Sequence, residues 1–119
     1  MPDTPRFLPV HSVDIAGARL MFVSGATAGT AAPYDTAQQT RIVFDKILAR
    51  LAEHGATRDD IRKLTVFLTD IREYALFSEV RNQLFADSPA PPASSAVEAR
   101  LGSASVRVEI EAIAVRLGG

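Results

Sequence analysis

At 119 residues the chain is long enough for one domain that buries a core of its own without covalent staples. A formal charge of −1 gives it no electrostatic claim on nucleic acid or on an anionic membrane surface. It has no cysteine, which excludes disulfides, thiolate catalysis and cysteine metal sites, and its only histidines, His11 and His54, form no metal-ligand cluster.

In chain order, Met1-Pro-Asp-Thr-Pro5 has neither the basic start nor the apolar run of a signal peptide. No later segment approaches the roughly 20 apolar residues of a membrane span, so a cytoplasmic protein with no membrane partner is expected. Residues 8–15 and 19–24 read as strands joined at Ala16-Gly17-Ala18, a hairpin. Residues 25–34 are small and unpatterned, which predicts a loop. Asp35 is placed to cap a long helix running to His54, with Gly55 at the C′ position. Its apolar stripe is Ala37, Thr40, Phe44, Ile47, Leu48 and Leu51, with Arg41, Asp45, Lys46 and Arg50 largely outside. Residues 57–60 suggest a single turn and residues 63–69 a strand. A second helix is predicted over 71–86, carrying Tyr74, Phe77, Val80 and Leu84 on one stripe, and the proline-rich 88–92 breaks it.

Two alternating runs finish the chain: Ser94-Ser-Ala-Val-Glu-Ala-Arg-Leu101 and Val106-Arg-Val-Glu-Ile-Glu-Ala-Ile-Ala-Val115, joined by a turn near residues 102–104. In the second run Val106, Val108, Ile110, Ala112 and Ala114 point one way. Arg107, Glu109 and Glu111 point the other, before Ile113 and Val115 turn that face apolar. Such a strand is expected to be covered on both faces, where a carboxylate such as Glu109 is costly unless paired or used. The alternative is a solvated sheet face on which both glutamates are simply wet.

The order β-β-α-β-α-β-β implies a single α+β domain, one sheet with two helices on one face. The helix-free face then carries Phe22, Ile113 or Val115, an apolar patch too large for a comfortable monomer. Self-association is the simplest cure, so a homo-oligomer with pockets between subunits is expected.

Several phrases together resemble the Rid (YjgF) family of imine and enamine deaminases: Leu20-Met-Phe-Val-Ser-Gly25, Phe44-Asp-Lys-Ile-Leu48 through His54-Gly55, residues 60–70, and Val108-Glu-Ile-Glu-Ala-Ile-Ala-Val115. The resemblance covers nearly the whole chain. It implies a chorismate-mutase-like fold, a homotrimer with interface pockets, no cofactor or metal, and hydrolysis of 2-imino acids to 2-oxo acids and ammonia. It also implies that Glu109 holds or activates the attacking water and that Ser24 and Gly25 form a pocket wall. Ser78 stands near a family asparagine, and Ser94, Ser95 and Ala96 lie where the substrate is bound. Glycine at 25 permits close approach of backbone to ligand.

Two positions depart from the family. Active members carry Pro-Ala-Arg-Ser, whose arginine grips the substrate carboxylate; here the phrase is Pro92-Ala-Ser-Ser95, so a charged bidentate clamp is replaced by the Ser94 hydroxyl. Arg100 is six residues along the strand, roughly 20 Å away, too far to substitute. Arg107 and Arg19 cannot be placed near that site from sequence. His11 aligns with the family's pocket tyrosine; it is read either as a proton donor or acceptor near neutral pH or as a surface histidine. Ser94, Ser95, Ser103 and Ser105 lack the partners of a serine hydrolase, and Gly25-Ala-Thr-Ala-Gly29 lacks the ending of a phosphate loop. Family members have been called ribonucleases, for which this nearly neutral chain offers no physical support.

Two functional readings follow. One is an enzyme that adds water to a C=N or C=C–N bond of a small reactive metabolite, or uses the same carboxylate for tautomerisation or dehydration. Without the arginine, the substrate would not be the standard 2-imino acid. The other is a non-catalytic trimer that keeps the pocket to bind a small ligand or partner, with a purely structural trimer behind both.

Overall fold

The computed structural model describes residue 4 and residues 6–118. The elements are β1 (Val10–Ile15), β2 (Ala18–Ala26), α1 (Thr36–Glu53), β3 (Ile61–Leu68), α2 (Tyr74–Leu84), β4 (Ala93–Glu98) and β5 (Val108–Arg116), with 3₁₀ turns at Arg58–Asp60 and Ile71–Glu73. They form the expected α+β architecture: a five-stranded mixed sheet in the order β1-β2-β5-β3-β4, with both helices on one face.

Local chemistry accounts for most boundaries. The hairpin turns through two residues with positive φ, Ala16 at 50° and Gly17 at 84°, the primed geometry that matches strand twist. The Asp35 side chain accepts from the Gln38 amide at 2.8 Å and starts α1. At the other end Gly55 adopts a φ of 78°, and the Gly55 and Ala56 amides donate to the Ala52 and Leu51 carbonyls, a Schellman ending. Thr40, Phe44, Ile47 and Leu51 are buried as the stripe predicts, while Ala37 and Leu48 are half-buried. Gln39, absent from that stripe, is 0% exposed. Its amide donates to the Pro33 and Ser105 carbonyls, and its oxygen accepts from the Arg107 amide, so burial leaves nothing unpaired.

Four expectations need correction. The segment 71–86 is not one helix: Asp70 caps a 3₁₀ turn through the Arg72 amide, and the α-helix runs only from Tyr74 to Leu84. It ends there because buried Phe85 turns into the core, edge-on to Phe44 at 6.3 Å. Tyr74, expected on the buried stripe, is 39% exposed. Gly25 and Ala26 belong to β2 rather than to a loop. The last two strands are not neighbours, because β3 lies between them, paired parallel to β4 and antiparallel to β5. A parallel pair needs a crossover of a dozen or more residues, and α2 with its flanking chain provides it.

β5 thus occupies the centre of the sheet. Val108, Ile110, Ala112 and Ala114 join Met21, Val23, Leu64 and Val66 under Val43, Ile47 and Phe77 of the helices. The opposite face is open and carries Phe22 at 43% and Ile113 at 36% exposure, the apolar patch expected of it, although Val115 is half-buried.

Candidate functional site

The β2–β5 ladder is irregular at one place. Between the Val23–Ala112 and Ala26–Ile110 pairs, β2 contributes Ser24 and Gly25 where β5 contributes Glu111 alone. This is a β-bulge, a device that re-aims side chains and is frequent beside functional sites. The bulge is anchored from the chain preceding β1: the Ser24 hydroxyl donates to the Leu8 carbonyl at 2.6 Å and its amide to the Pro9 carbonyl at 2.9 Å. Glu109 lies directly against it. A Cβ on Gly25 would stand 2.6 Å from Glu109 Oε2 and 3.0 Å from its Cδ, so only glycine leaves the carboxylate its place.

Glu109 alternates with fully buried Val108 and Ile110 and so projects onto the open face, half-buried. Among the described residues it takes part in no ion pair and its carboxylate accepts no hydrogen bond. Its backbone is held firmly. Two residues upstream, Arg107 donates to Glu73 and to the Tyr34 hydroxyl and lies 4.8 Å from the Tyr34 ring centroid. The hydrogen bonds from Arg107 and from the Thr36 hydroxyl hold the Glu73 carboxyl below the usual carboxylate range. Arg107 is thereby tied to α1 and the Ile71–Glu73 turn, and Arg19 pairs with Asp14; neither lies free to serve the Ser94 position.

The other predicted residues divide between the two faces. Ser94 pairs in register with Leu64 and Ala96 with Val66, and both of those partners are fully buried beneath the helices. Ser94 and Ala96 therefore lie on the helix side, as does Ser78 of α2. Ser95 faces the open side, where Lys63 Nζ donates to its hydroxyl at 2.8 Å. His11 is exposed on edge strand β1, opposite Phe22, which in turn is opposite Ile113. Ile113 is four residues from Glu109 along β5, about 13 Å at the ordinary strand rise, so one chain does not bring His11 to Glu109.

Between Ser78 and Ser94 lies Arg81, which no motif in the sequence marks. Its Nη2 donates to the Ser78 hydroxyl at 2.9 Å, its Nη1 to the Ser94 and Tyr74 hydroxyls at 3.1 and 3.0 Å, and its Nε to Asn82 at 3.2 Å. The i, i+3 spacing from Ser78 was a legible signal. The reach to β4 was not. No group of three or more His, Asp or Glu side chains among the described residues converges in a way that would hold a metal ion.

Residues 9–116 match the family model described as Endoribonuclease L-PSP. The chain belongs to this family. A RutC family protein of Pyrococcus abyssi is 33% identical over 117 residues, covering 94% of this chain and 91% of that protein. The 2-iminobutanoate/2-iminopropanoate deaminase of Escherichia coli (strain K12) is 38% identical over 85 residues, 71% of this chain and 66% of that protein. The crystal structure of a Mycobacterium tuberculosis member of the YjgF/YER057c/UK114 family has a TM-score of 0.75 and 34% identity, covering 87% of this chain and 82% of that one. The Rid (YjgF) resemblance and its chorismate-mutase-like fold are therefore properties of this chain.

Proposed function

We propose that this Rid-family protein hydrolyses a reactive imine or enamine of a small metabolite, in a pocket completed between copies of the chain. The observation that carries the reading is the Glu109 carboxylate, held against the Gly25 bulge on the open face without a protein partner among the described residues. The name of the Escherichia coli relative, a 2-iminobutanoate/2-iminopropanoate deaminase, supports the same chemistry.

In this reading Glu109 takes a proton from a water molecule as the water oxygen bonds to the imine carbon, and the C=N bond becomes a single bond in a carbinolamine. The proton held by Glu109 passes to the nitrogen. The C–N bond then breaks as the oxygen lone pair forms the carbonyl, and the hydroxyl proton passes through Glu109 to the nitrogen, which leaves as ammonia. His11 is too distant within one chain for this transfer, so the proton return is assigned to Glu109. Positioning the water and one general base, typically worth about 10²–10⁴-fold, suits a reaction whose barrier is already low. The test is an imine generated in situ from threonine by a dehydratase, its loss followed against the spontaneous rate. Acceleration by this protein is expected. Loss at the spontaneous rate, with ligand binding retained, would favour the non-catalytic reading.

The division of site residues between faces supports a composite pocket. Glu109, Ser24 and Gly25 lie on the open side, while Ser78, Ser94 and Ala96 lie on the helix side beyond β3. Patches on opposite faces of the sheet do not share one self-complementary surface, so they meet head to tail, and a heterologous contact whose rotation closes makes a ring. Among such rings this reading takes the homotrimer implied by the family resemblance, which would cover Phe22 and Ile113. Light scattering at micromolar concentration is expected to give about three times the chain mass. A monomer or a two-fold dimer would remove the composite pocket.

A further inference from the structure

We infer that Arg81 is the carboxylate anchor of this site, an arginine supplied from helix α2 where the family's strand position holds Ser94. The inference rests on the hydrolase reading above and names its substrate class: small imines that carry a carboxylate beside the reacting carbon.

Three observations converge on it. First, Arg81 is a half-buried guanidinium with no carboxylate partner among the described residues, whereas Arg19, Arg58, Arg72, Arg107 and Arg116 each have one. Second, it is held in place. Its Cζ lies 5.2 Å from the Phe77 ring centroid and 5.6 Å from that of Tyr74, and four neutral groups accept its N–H bonds. Third, it reaches the Ser94 hydroxyl at 3.1 Å, the position at which the family resemblance places substrate-carboxylate binding.

The chemistry fits a planar anion. A guanidinium has five N–H donors, and four interactions are assigned, three of them to hydroxyls. Each of those hydroxyls accepts from Arg81 and keeps its own proton to donate. An incoming carboxylate would meet a charged fork edged by Ser78, Ser94 and Tyr74, and a guanidinium–carboxylate pair, ionised on both sides and able to bond bidentately, is stronger than the guanidinium–hydroxyl bonds it displaces. None of Arg100, Arg107 and Arg19, the arginines that fail to replace the strand clamp, is placed like this.

The probe is 2-oxobutanoate, a stable carboxylate of the product class, titrated by calorimetry against the native protein. Arg81→Gln is expected to weaken binding on the order of tenfold to a hundredfold, with the oligomer intact. Methyl 2-oxobutanoate, which lacks the charge, is expected to bind weakly and equally to both proteins. Ser94→Arg in the Arg81→Gln background restores the charge from the strand, and recovered binding there is a result that a merely packing role for Arg81 would not produce. No binding of 2-oxobutanoate by the native protein, unchanged affinity in a folded Arg81→Gln trimer, or an ester bound as tightly as the acid would each overturn the inference. The two readings can fail separately. Imine turnover with an unchanged KM in Arg81→Gln removes the anchor and keeps the hydrolase, whereas Arg81-dependent binding without turnover does the reverse.

Discussion

Glu109→Gln is expected to lower the rate of imine loss by about 10²–10⁴-fold, the usual contribution of a positioned general base. The substitution keeps size and shape and removes the basic oxygen. Because Glu109 bonds to no described side chain, the fold, the oligomer mass and 2-oxobutanoate binding are expected to stay near native values. Turnover within a few-fold of native would remove Glu109 from the chemistry. Gly25→Ala makes a companion test. Its Cβ would fall 2.6 Å from Glu109 Oε2, and the flexible carboxylate end would move before the backbone did. Turnover is therefore expected to drop with little change in thermal midpoint. Native turnover in Gly25→Ala would show that the close approach serves nothing.

The largest effect on stability is expected from Phe77→Ala, at about 3–5 kcal/mol, the range for deleting a large buried ring. Phe77 is 0% exposed and packs on Phe44 with ring centroids 6.3 Å apart, on Tyr74 at 5.9 Å, and beneath the Arg81 guanidinium. Truncation opens a cavity between α1, α2 and the sheet and removes one support of Arg81. Urea unfolding at a fixed protein concentration reads the change as a lower midpoint with the slope preserved. Leu76, the preceding residue of α2, is 43% exposed, and Leu76→Ala is expected to cost no more than about 0.5 kcal/mol. Similar losses from the two variants would contradict the packing described.

Elements with a strong local signature were legible at once. Alternation in β5 identified both its buried row and the outward placement of Glu109, because strand side chains change faces at every residue. Asp35 and Gly55 marked the limits of α1, since capping depends on groups within four residues of the end. Periodicity extends the second helix too far because its stripe continues through a 3₁₀ turn whose distinguishing bond, from Asp70, leaves no periodic trace. Gln39 carries no core signal in the sequence because a glutamine reads as polar until its three hydrogen-bond partners, from residues 33 to 107, are brought around it.

The candidate site shows the same division more sharply. Glu109, Ser24 and Gly25 were nominated from family-like phrases, and the fold places them together at one bulge. Residue types and local spacing were enough for the element order, the core rows and a carboxylate on the exposed side of β5. They were not enough for the insertion of β3 between the last two strands, the extra residue in β2, or the reach of Arg81 to Ser94. Period and propensity say which side chains share a face of one element. They do not say which strand lies alongside, because pairing is chosen by how whole faces pack against the helices. Arg81 and Ser94 are 13 residues apart in different elements, and they meet because β4 is laid parallel to β3 beneath α2.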